Sequence, residues 1–191
     1  QTSEGGYIVI GTFRSAYILN MEIIRDYDPW LTKVDIDGNE QWSKVFPPGN
    51  DQNDGGGYSV QQTTDGGYII AGSKIDSSYW DYYGGYWTYN QVPWLIKTDI
   101  DGNEEWSTIP YTGSPDLFYL YDTSPDFVQQ TEDGGYVVSG ASYNWFYLFK
   151  TDSQGNSEWI NGWDSGATIE WDDSNFNLKV KSSLDQTTDG G

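Results

Sequence analysis

The sequence contains no cysteine, no histidine and a single methionine among its 191 residues. Without cysteine there is no disulfide framework, no thiol nucleophile and no thiolate metal site. Without histidine there is neither a Ser-His-Asp triad nor an HExxH zinc site. Lysine and arginine number only 9 against 29 acidic residues, giving a formal charge of −20. This charge argues against partners such as nucleic acid or an anionic membrane surface.

Long apolar segments are also absent, since no run approaches the roughly 20 residues of a membrane helix. Membrane insertion is therefore not expected. A high net charge is typical of disordered chains, but such chains are poor in aromatic residues, whereas Trp, Tyr and Phe make up 17% of this one. Together with 23 glycines, these rings predict a compact, turn-rich protein. The acidity and the scarcity of lysine favour a secreted or cell-surface location.

One motif recurs along the chain. It reads QTSEGGYIVIG from Gln1, QQTTDGGYIIAG from Gln61, QQTEDGGYVVSG from Gln129 and DQTTDGG from Asp185. The paired glycines in successive copies are 61, 68 and 56 residues apart. A period of this kind predicts a repeat architecture.

A second motif follows in each unit. It reads PWLTKVDIDGNEQW from Pro29, PWLIKTDIDGNEEW from Pro93 and FYLFKTDSQGNSEW from Phe146. The glycine pair and the closing Trp are 36, 39 and 24 residues apart, so the first two units carry insertions of about a dozen residues between the motifs. The chain therefore divides into a single array of units at about 1–57, 58–125 and 126–184. Residues 185–191 start a further repeat.

The second unit predicts four short strands. Each glycine turn contains residues that tolerate positive φ, as a tight hairpin requires. The run after the first turn is apolar throughout, which favours a strand covered on both faces. Helical periodicity is absent. The predicted strands are 58–64, 68–71, 94–99 and 105–109, and the fold class is all-β, with four-stranded antiparallel meanders as the three repeats.

A lone four-stranded sheet buries one face at best, whereas the radial stack of a β-propeller covers both. Small residues after the second strand, at Gly11, Gly72 and Gly140, are expected to let rings of an adjacent sheet approach closely. The tryptophans that close the units are the candidates for structural docking between sheets. They are Trp42, Trp106 and Trp159.

The segment WLIKTDIDGNEEW resembles the tryptophan-docking repeat of PQQ-like β-propellers. The pattern DGGY…KTDxxGNxxW is similar to the repeats of secreted bacterial and archaeal propeller proteins. The resemblance extends over all three units and implies propeller blades. It implies no activity, because that fold hosts many functions, and the quinone-binding residues of the related dehydrogenases have no counterparts here.

Propellers close with about four to eight blades, and this chain has three units. Three interpretations stay open. The chain is part of a longer propeller, or copies complete one another, with two chains of three units giving six blades, or the units form a stack that is not a propeller.

The insertion of the second unit is rich in aromatic residues and is predicted to be a loop. Flat amphipathic rings suit recognition of sugars or peptides, so the loop is a candidate ligand or interface site. Contact with another protein and packing within the chain are the alternatives. The residues are Tyr79, Trp80, Tyr82, Tyr83, Tyr86, Trp87 and Tyr89.

Two turns place side-chain oxygens at alternate positions, as in many calcium loops. Asp, Gly and Asn are also the residues that a hairpin turn selects. The third copy, from Asp152, lacks the second aspartate. Calcium is therefore the one cofactor considered, against turn chemistry alone. The candidate ligands are Asp35, Asp37, Asn39, Asp99, Asp101 and Asn103.

The sequence singles out no catalytic residue. The leading hypothesis is a non-enzymatic extracellular or cell-surface structural or adhesion protein, built from propeller repeats and able to self-assemble. Its expected partners are itself, or further blades of the same chain, with glycans or surface proteins as additional candidates. The alternative is a carbohydrate-binding or carbohydrate-active propeller that uses the aromatic loop 79–89.

Overall fold

The computed structural model describes residues 1–19, 22–47, 55–81, 86–110, 124–142 and 145–164. These residues form strands, turns and bends and no helix, so the all-β prediction is confirmed. Among them there is accordingly no helix of the length and apolarity needed to cross a membrane.

The strands form three antiparallel meanders, one from each repeat. The second and third sheets have the four strands that the sequence predicts. In the first sheet the described residues supply three. The first sheet contains β1 (Tyr7–Leu19), β2 (Glu22–Val34) and β3 (Glu40–Val45). The second contains β4 (Gly56–Gln62), β5 (Tyr68–Asp81), β6 (Tyr86–Thr98) and β7 (Glu104–Thr108). The third contains β8 (Ser124–Gln130), β9 (Tyr136–Ser142), β10 (Trp145–Thr151) and β11 (Ser157–Asp164).

The insertions of the first two units lengthen their central hairpins. In the second sheet, β5 and β6 stay paired from Tyr68↔Thr98 out to Asp81↔Tyr86. In the third sheet, β9 and β10 have only 7 residues each. The prediction that β5 ends at residue 71 and is followed by a loop is therefore wrong. The inserted residues are rich in aromatic and β-branched types, which favour paired strands.

The glycine-pair turns have the geometry that the sequence predicts. In the second sheet Gly66 has a φ of 89° and its N–H donates to the carbonyl of Thr63 at 2.9 Å. The next glycine is needed for a different reason, since a β-carbon on Gly67 would lie 2.1 Å from the carbonyl oxygen of Thr98. The N–H of Thr63 in turn donates to the carbonyl of Gly67 at 2.9 Å. The corresponding turns of the other two sheets repeat these two backbone hydrogen bonds.

The apolar run that opens β5 is buried on both sides, as its composition predicts. Tyr68 and Ile70 pack in a cluster with residues of the first sheet. Ile69 and Ala71 pack in a second cluster with residues of the third sheet. All four side chains are fully buried. The second sheet is thus the middle layer of a stack, and its two faces carry the two halves of the core.

The expected role of the small residues after this run is corrected by the structure. A β-carbon on Gly72 would lie 2.5 Å from the carbonyl oxygen of Gly56, and one on Gly140 would lie 2.3 Å from the hydroxyl of Tyr147. Both of these contacts are within the same sheet. At Gly11 a β-carbon would meet nothing within 4 Å. Close approach between sheets occurs at other glycines, one of which is Gly57, where a β-carbon would lie 2.6 Å from the side chain of Ile10.

Candidate interaction surfaces

The closing tryptophan of the first sheet packs on the second sheet. The indole of Trp42 meets the ring of Tyr68 edge-on, with 5.9 Å between ring centroids and an angle of 65° between the planes. Its far edge lies over Gly102, where a β-carbon would be 2.7 Å from Cη2. Gly102 has a φ of 76°, so the turn requires glycine for its backbone as well as for this contact.

The same contact is repeated one sheet further along. Trp106 lies 5.8 Å from the ring of Tyr136 at an angle of 58°, and a β-carbon on Gly155 would lie 2.8 Å from Cζ3 of this indole. Trp159, the corresponding residue of the third sheet, is 39% exposed. Thus two of the three predicted docking residues pack against a following sheet among the described residues, and the third lies on the outer face of the stack.

A polar contact also recurs at the two interfaces. The backbone N–H of Ser3 donates to the side-chain oxygen of Gln62 at 2.7 Å. The N–H of Thr64 donates to the side-chain oxygen of Gln130 at 2.8 Å. Each of these glutamines also donates to a glycine carbonyl of its own turn. Sheet stacking therefore combines one apolar and one polar contact that the repeat reproduces.

One lysine per sheet lies beside the docking tryptophan and is largely buried, with carboxylates around it. Lys33 pairs with Glu4 at 2.5 Å. Lys97, whose side chain is 4% exposed, pairs with Asp65 and with Glu105, both at 2.9 Å. The lysine of the third sheet has the corresponding two partners, with Lys150 bonded to Asp133 at 2.7 Å and Glu158 at 2.8 Å.

These ion pairs shift the pKa of the lysines and of the aspartates in the glycine turns. For Lys97, burial is the largest influence and lowers the pKa, but hydrogen bonds to Glu105 and Asp65 outweigh it, so the pKa lies above its ordinary value. For Asp133, the hydrogen bond from Lys150 is the main reason that its pKa lies well below the usual range of aspartate. Burial raises the pKa of the docking tyrosine Tyr68. The lysines therefore remain charged. Lys97 and Lys150 each join the glycine turn of their sheet to its last strand, and Lys33 is bonded to the turn residue Glu4.

These shifts predict a loss of stability in alkali. A lysine whose folded-state pKa is raised stabilises the fold fully below its unfolded pKa of about 10.4, and the contribution is lost as the pH rises through the folded value. The raised pKa values of the buried tyrosines act in the same direction. We expect the urea midpoint to be lower at about pH 11 than at about pH 8. A Lys97→Met variant should lose less over that interval than a Lys44→Met control, and equal losses would contradict the prediction.

The aspartate turns are explained by hydrogen bonds within the chain. The carboxylate of Asp35 accepts from the N–H of Asp37 at 2.9 Å and from the N–H and side-chain amide of Asn39 at 2.8 and 3.0 Å. Asp99 has the same bonds to Asp101 and Asn103. The third turn, where the second aspartate is replaced, keeps the arrangement. Hydrogen bonds from asparagine lower the pKa of the first aspartate of each turn.

Turn chemistry therefore accounts for the calcium candidates in this part of the chain. Of the described residues, no group of three or more acidic side chains is arranged to hold a metal ion. The first aspartate of each turn, Asp35 or Asp99, uses one carboxylate oxygen to accept two backbone N–H groups, which is the ordinary role of aspartate in such a turn.

The aromatic segment of the second unit lies on the far part of the β5–β6 hairpin. The backbone register places Trp80 directly opposite Trp87, Tyr79 opposite Thr88 and Asp81 opposite Tyr86. Tyr89 is paired with Ser78. Two further candidates, Tyr82 and Tyr83, lie outside the described residues. These positions therefore belong to paired strands that extend beyond the stacked part of the sheet.

The first two hairpins are braced where they leave the stack. Arg14 lies 5.5 Å from the ring centroid of Tyr27 on the first hairpin, and Lys74 lies 5.0 Å from that of Trp94 on the second. The side-chain amide of Gln91 donates to the hydroxyl of Ser73 across the second hairpin at 2.8 Å. These contacts hold the base of each extension against its own sheet.

The buried lysines, which stabilise each sheet beside the docking tryptophan, are the residues that sequence reasoning missed. The signal was present, because a lysine occupies the same position of the second motif in all three units, at Lys33, Lys97 and Lys150. An isolated lysine is normally interpreted as solvent-exposed, because burial of an unpaired ammonium is unfavourable. The acidic partner in each glycine turn lies more than fifteen residues away in the sequence, so only the sheet pairing brings it close.

No protein-family model matches the chain, and a search of curated proteins finds no match. The propeller resemblance therefore stays a prediction, and the functional argument rests on the geometry described above.

Proposed function

We propose that the chain is a non-enzymatic structural or adhesion protein of the cell surface or extracellular space, built from PQQ-like propeller repeats. The observation that carries the proposal is the recurrence of one docking contact. Trp42 with Tyr68 and Gly102, and Trp106 with Tyr136 and Gly155, have nearly the same ring separations of 5.9 and 5.8 Å. The residues that recur in the sequence are the residues that join sheet to sheet.

This use of the repeated residues suits a scaffold. In repeat proteins each unit buries its apolar faces against its neighbours, so that stability comes from interfaces between successive units. Here the tryptophan, the tyrosine and the glycine of the turns form that interface, while the buried lysine ties strands of each sheet together. The residues inserted in the first two units belong to the hairpin extensions, where a scaffold would present its partner-specific surface.

The strong acidity fits a protein that remains soluble and separate in an extracellular medium. To test the location, antibodies against the purified chain should label intact, non-permeabilised producing cells or detect the protein in their medium. Labelling only after permeabilisation would contradict the proposal. A cytoplasmic protein of the same cells, probed in parallel, controls for lysis.

Carbohydrate binding is the second candidate, because the hairpin register brings Trp80 and Trp87 to directly opposite positions. The two functions are separated by a glycan array probed with the purified chain. Retention on a polysaccharide that is lost in both Trp80→Ala and Trp87→Ala, but kept in a Tyr58→Ala control on β4, would favour the carbohydrate-binding alternative. A scaffold without glycan specificity would show no such pattern.

A further inference from the structure

Two sets of residues meet at each internal interface between sheets. Each outer face of the stack carries the residues that correspond to one of these two sets. The outer side of the first sheet, here called the Tyr7 face, contains Tyr7, Val9 and Trp30, which are 45%, 52% and 39% exposed. The outer side of the third sheet, here called the Trp159 face, contains Leu148 and Trp159. Neither side is covered by another of the three described sheets.

The counterparts of the Tyr7 face in the other sheets are buried. Tyr7 corresponds to Tyr68 and Tyr136, Val9 to Ile70 and Val138, and Trp30 to Trp94 and Tyr147 by their places in the two sequence motifs. The six counterparts are at most 3% exposed, because each is covered by the preceding sheet. The first sheet thus presents three apolar side chains whose equivalents are core residues elsewhere in the same molecule.

In the part of the chain that the structure describes, no indole lies over the glycine turn of the first sheet. Gly102 and Gly155 each lie beneath a tryptophan of the preceding sheet, whereas a β-carbon on Gly38 would meet nothing within 4 Å. The backbone at Gly38 has the same positive φ, 86° against 76° and 80°. The turn is therefore already in the conformation that receives the ring at the two internal interfaces.

The first sheet also carries the glutamine that makes the polar contact at the internal interfaces. The side-chain amide of Gln1 donates to the carbonyl of Gly5 at 3.0 Å, in the manner of Gln62 with Gly66 and Gln130 with Gly134. At the internal interfaces the oxygen of this amide accepts a backbone N–H from the preceding sheet. By its place in the motif, the donor on the third sheet is Glu132.

We propose that a second copy of this chain occupies the Tyr7 face, docking its Trp159 face there in a head-to-tail contact. Trp159 of one copy would lie over Gly38 and against Tyr7 of the next, as Trp106 lies over Gly155 and against Tyr136. The occupant is inferred from continuity with the internal interfaces, since the two faces carry complementary halves of the contact. The inference rests on the proposed scaffold function and names its partner.

A head-to-tail contact joins two different surfaces, so copies would form a closed ring, the smallest of which has two copies and two such contacts, or an open chain of copies. A dimer held by a single self-complementary contact is not expected. Because each copy carries a charge of −20, like-charge repulsion opposes the contact. Raising the salt to about 0.5 M would screen the repulsion and strengthen association. Light scattering should therefore give a mass above the 21.6 kDa of one copy at concentrations of about 1–100 μM, increasing with salt.

The decisive test uses two variants that each lose one face. Tyr7→Glu keeps the Trp159 face, and Trp159→Glu keeps the Tyr7 face. Each variant alone should be monomeric, whereas an equimolar mixture should form a complex of one copy of each. Ile36→Glu serves as the control, because its counterpart Ile100 is exposed even in the covered second sheet, and this variant should associate like the parent chain. Far-ultraviolet circular dichroism checks that every variant is folded.

A monomeric parent chain, a mixture that stays monomeric, or a single variant that still self-associates would overturn the proposal. The result is separate from the surface-labelling test. A surface-located but monomeric chain would leave the scaffold proposal standing and remove only the second copy as its partner.

Discussion

Replacing Trp106 with alanine is expected to lower the free energy of unfolding by about 3 kcal/mol. The indole fills the space between the second and third sheets, against the ring of Tyr136 at 5.8 Å and above Gly155. Its removal leaves a cavity that two rigid sheets cannot readily close. Because the side chain is partly rather than fully buried, we place the loss at the lower end of the range for a core tryptophan.

Two matched variants make this expectation specific. Trp42→Ala removes the same contact at the other interface and should cost a similar amount, about 3 kcal/mol. Trp159→Ala removes an exposed ring and should cost less than about 1 kcal/mol in dilute solution. Urea unfolding followed by circular dichroism avoids the change in fluorescence that loss of a tryptophan causes. Equal losses for Trp106 and Trp159 would contradict the inter-sheet role.

The second large effect is expected at the turn beneath Trp42. Gly102→Ala should lower the free energy of unfolding by about 3 kcal/mol, with a left-handed backbone and overpacking each contributing. The φ of 76° disfavours alanine, and the new methyl group would lie 2.7 Å from two atoms of the indole of Trp42. The turn backbone or the whole indole has to move to relieve this overlap.

Gly38→Ala separates the two contributions. Its φ is 86° but a β-carbon there would meet nothing within 4 Å, so only the backbone cost of about 1 kcal/mol is expected. In the double variant Trp42→Ala with Gly102→Ala the clash disappears, so its loss in the free energy of unfolding should be smaller than the sum of the two single losses by about 2 kcal/mol. Strict additivity in urea unfolding would show that the indole and the turn do not interact.

Features encoded by neighbouring residues could be predicted from the sequence. The pairs at Gly66 and Gly134 predicted hairpin turns with positive φ, and the structure has them. The run 68–71 predicted a strand covered on both faces, because its residues are all apolar and do not alternate with polar ones. Such features follow from turn chemistry and composition, which act over a few residues.

Features that depend on distant residues could not be predicted in the same way. The aromatic segment is predicted to be a loop because it is an insertion relative to the third unit, whereas pairing with the opposite strand extends β5 up to Asp81. The role of Gly57 depends on Ile10 of another sheet. The partners of Lys97 depend on the register of three strands. Whether Trp159 is covered depends on a surface outside its own sheet.

The doubly buried start of β5 has a consequence for how correctly the strands assemble. In a strand with one buried and one solvent-exposed face, apolar and polar residues alternate. This alternation fixes the pairing register, because a slip of one residue would move the apolar side chains into water. At the start of β5 both faces are apolar and buried, so a one-residue slip from Tyr68 to Ile69 would move each side chain from one apolar core cluster to the other. Correct alignment must therefore be enforced by the tight turn at Gly66 and by the ammonium of Lys97 on β6, which a slip of β5 would separate from Asp65 of that turn. Fidelity of folding in this chain thus depends on a few loop residues and one cation, rather than on the aliphatic side chains that supply most of its stability.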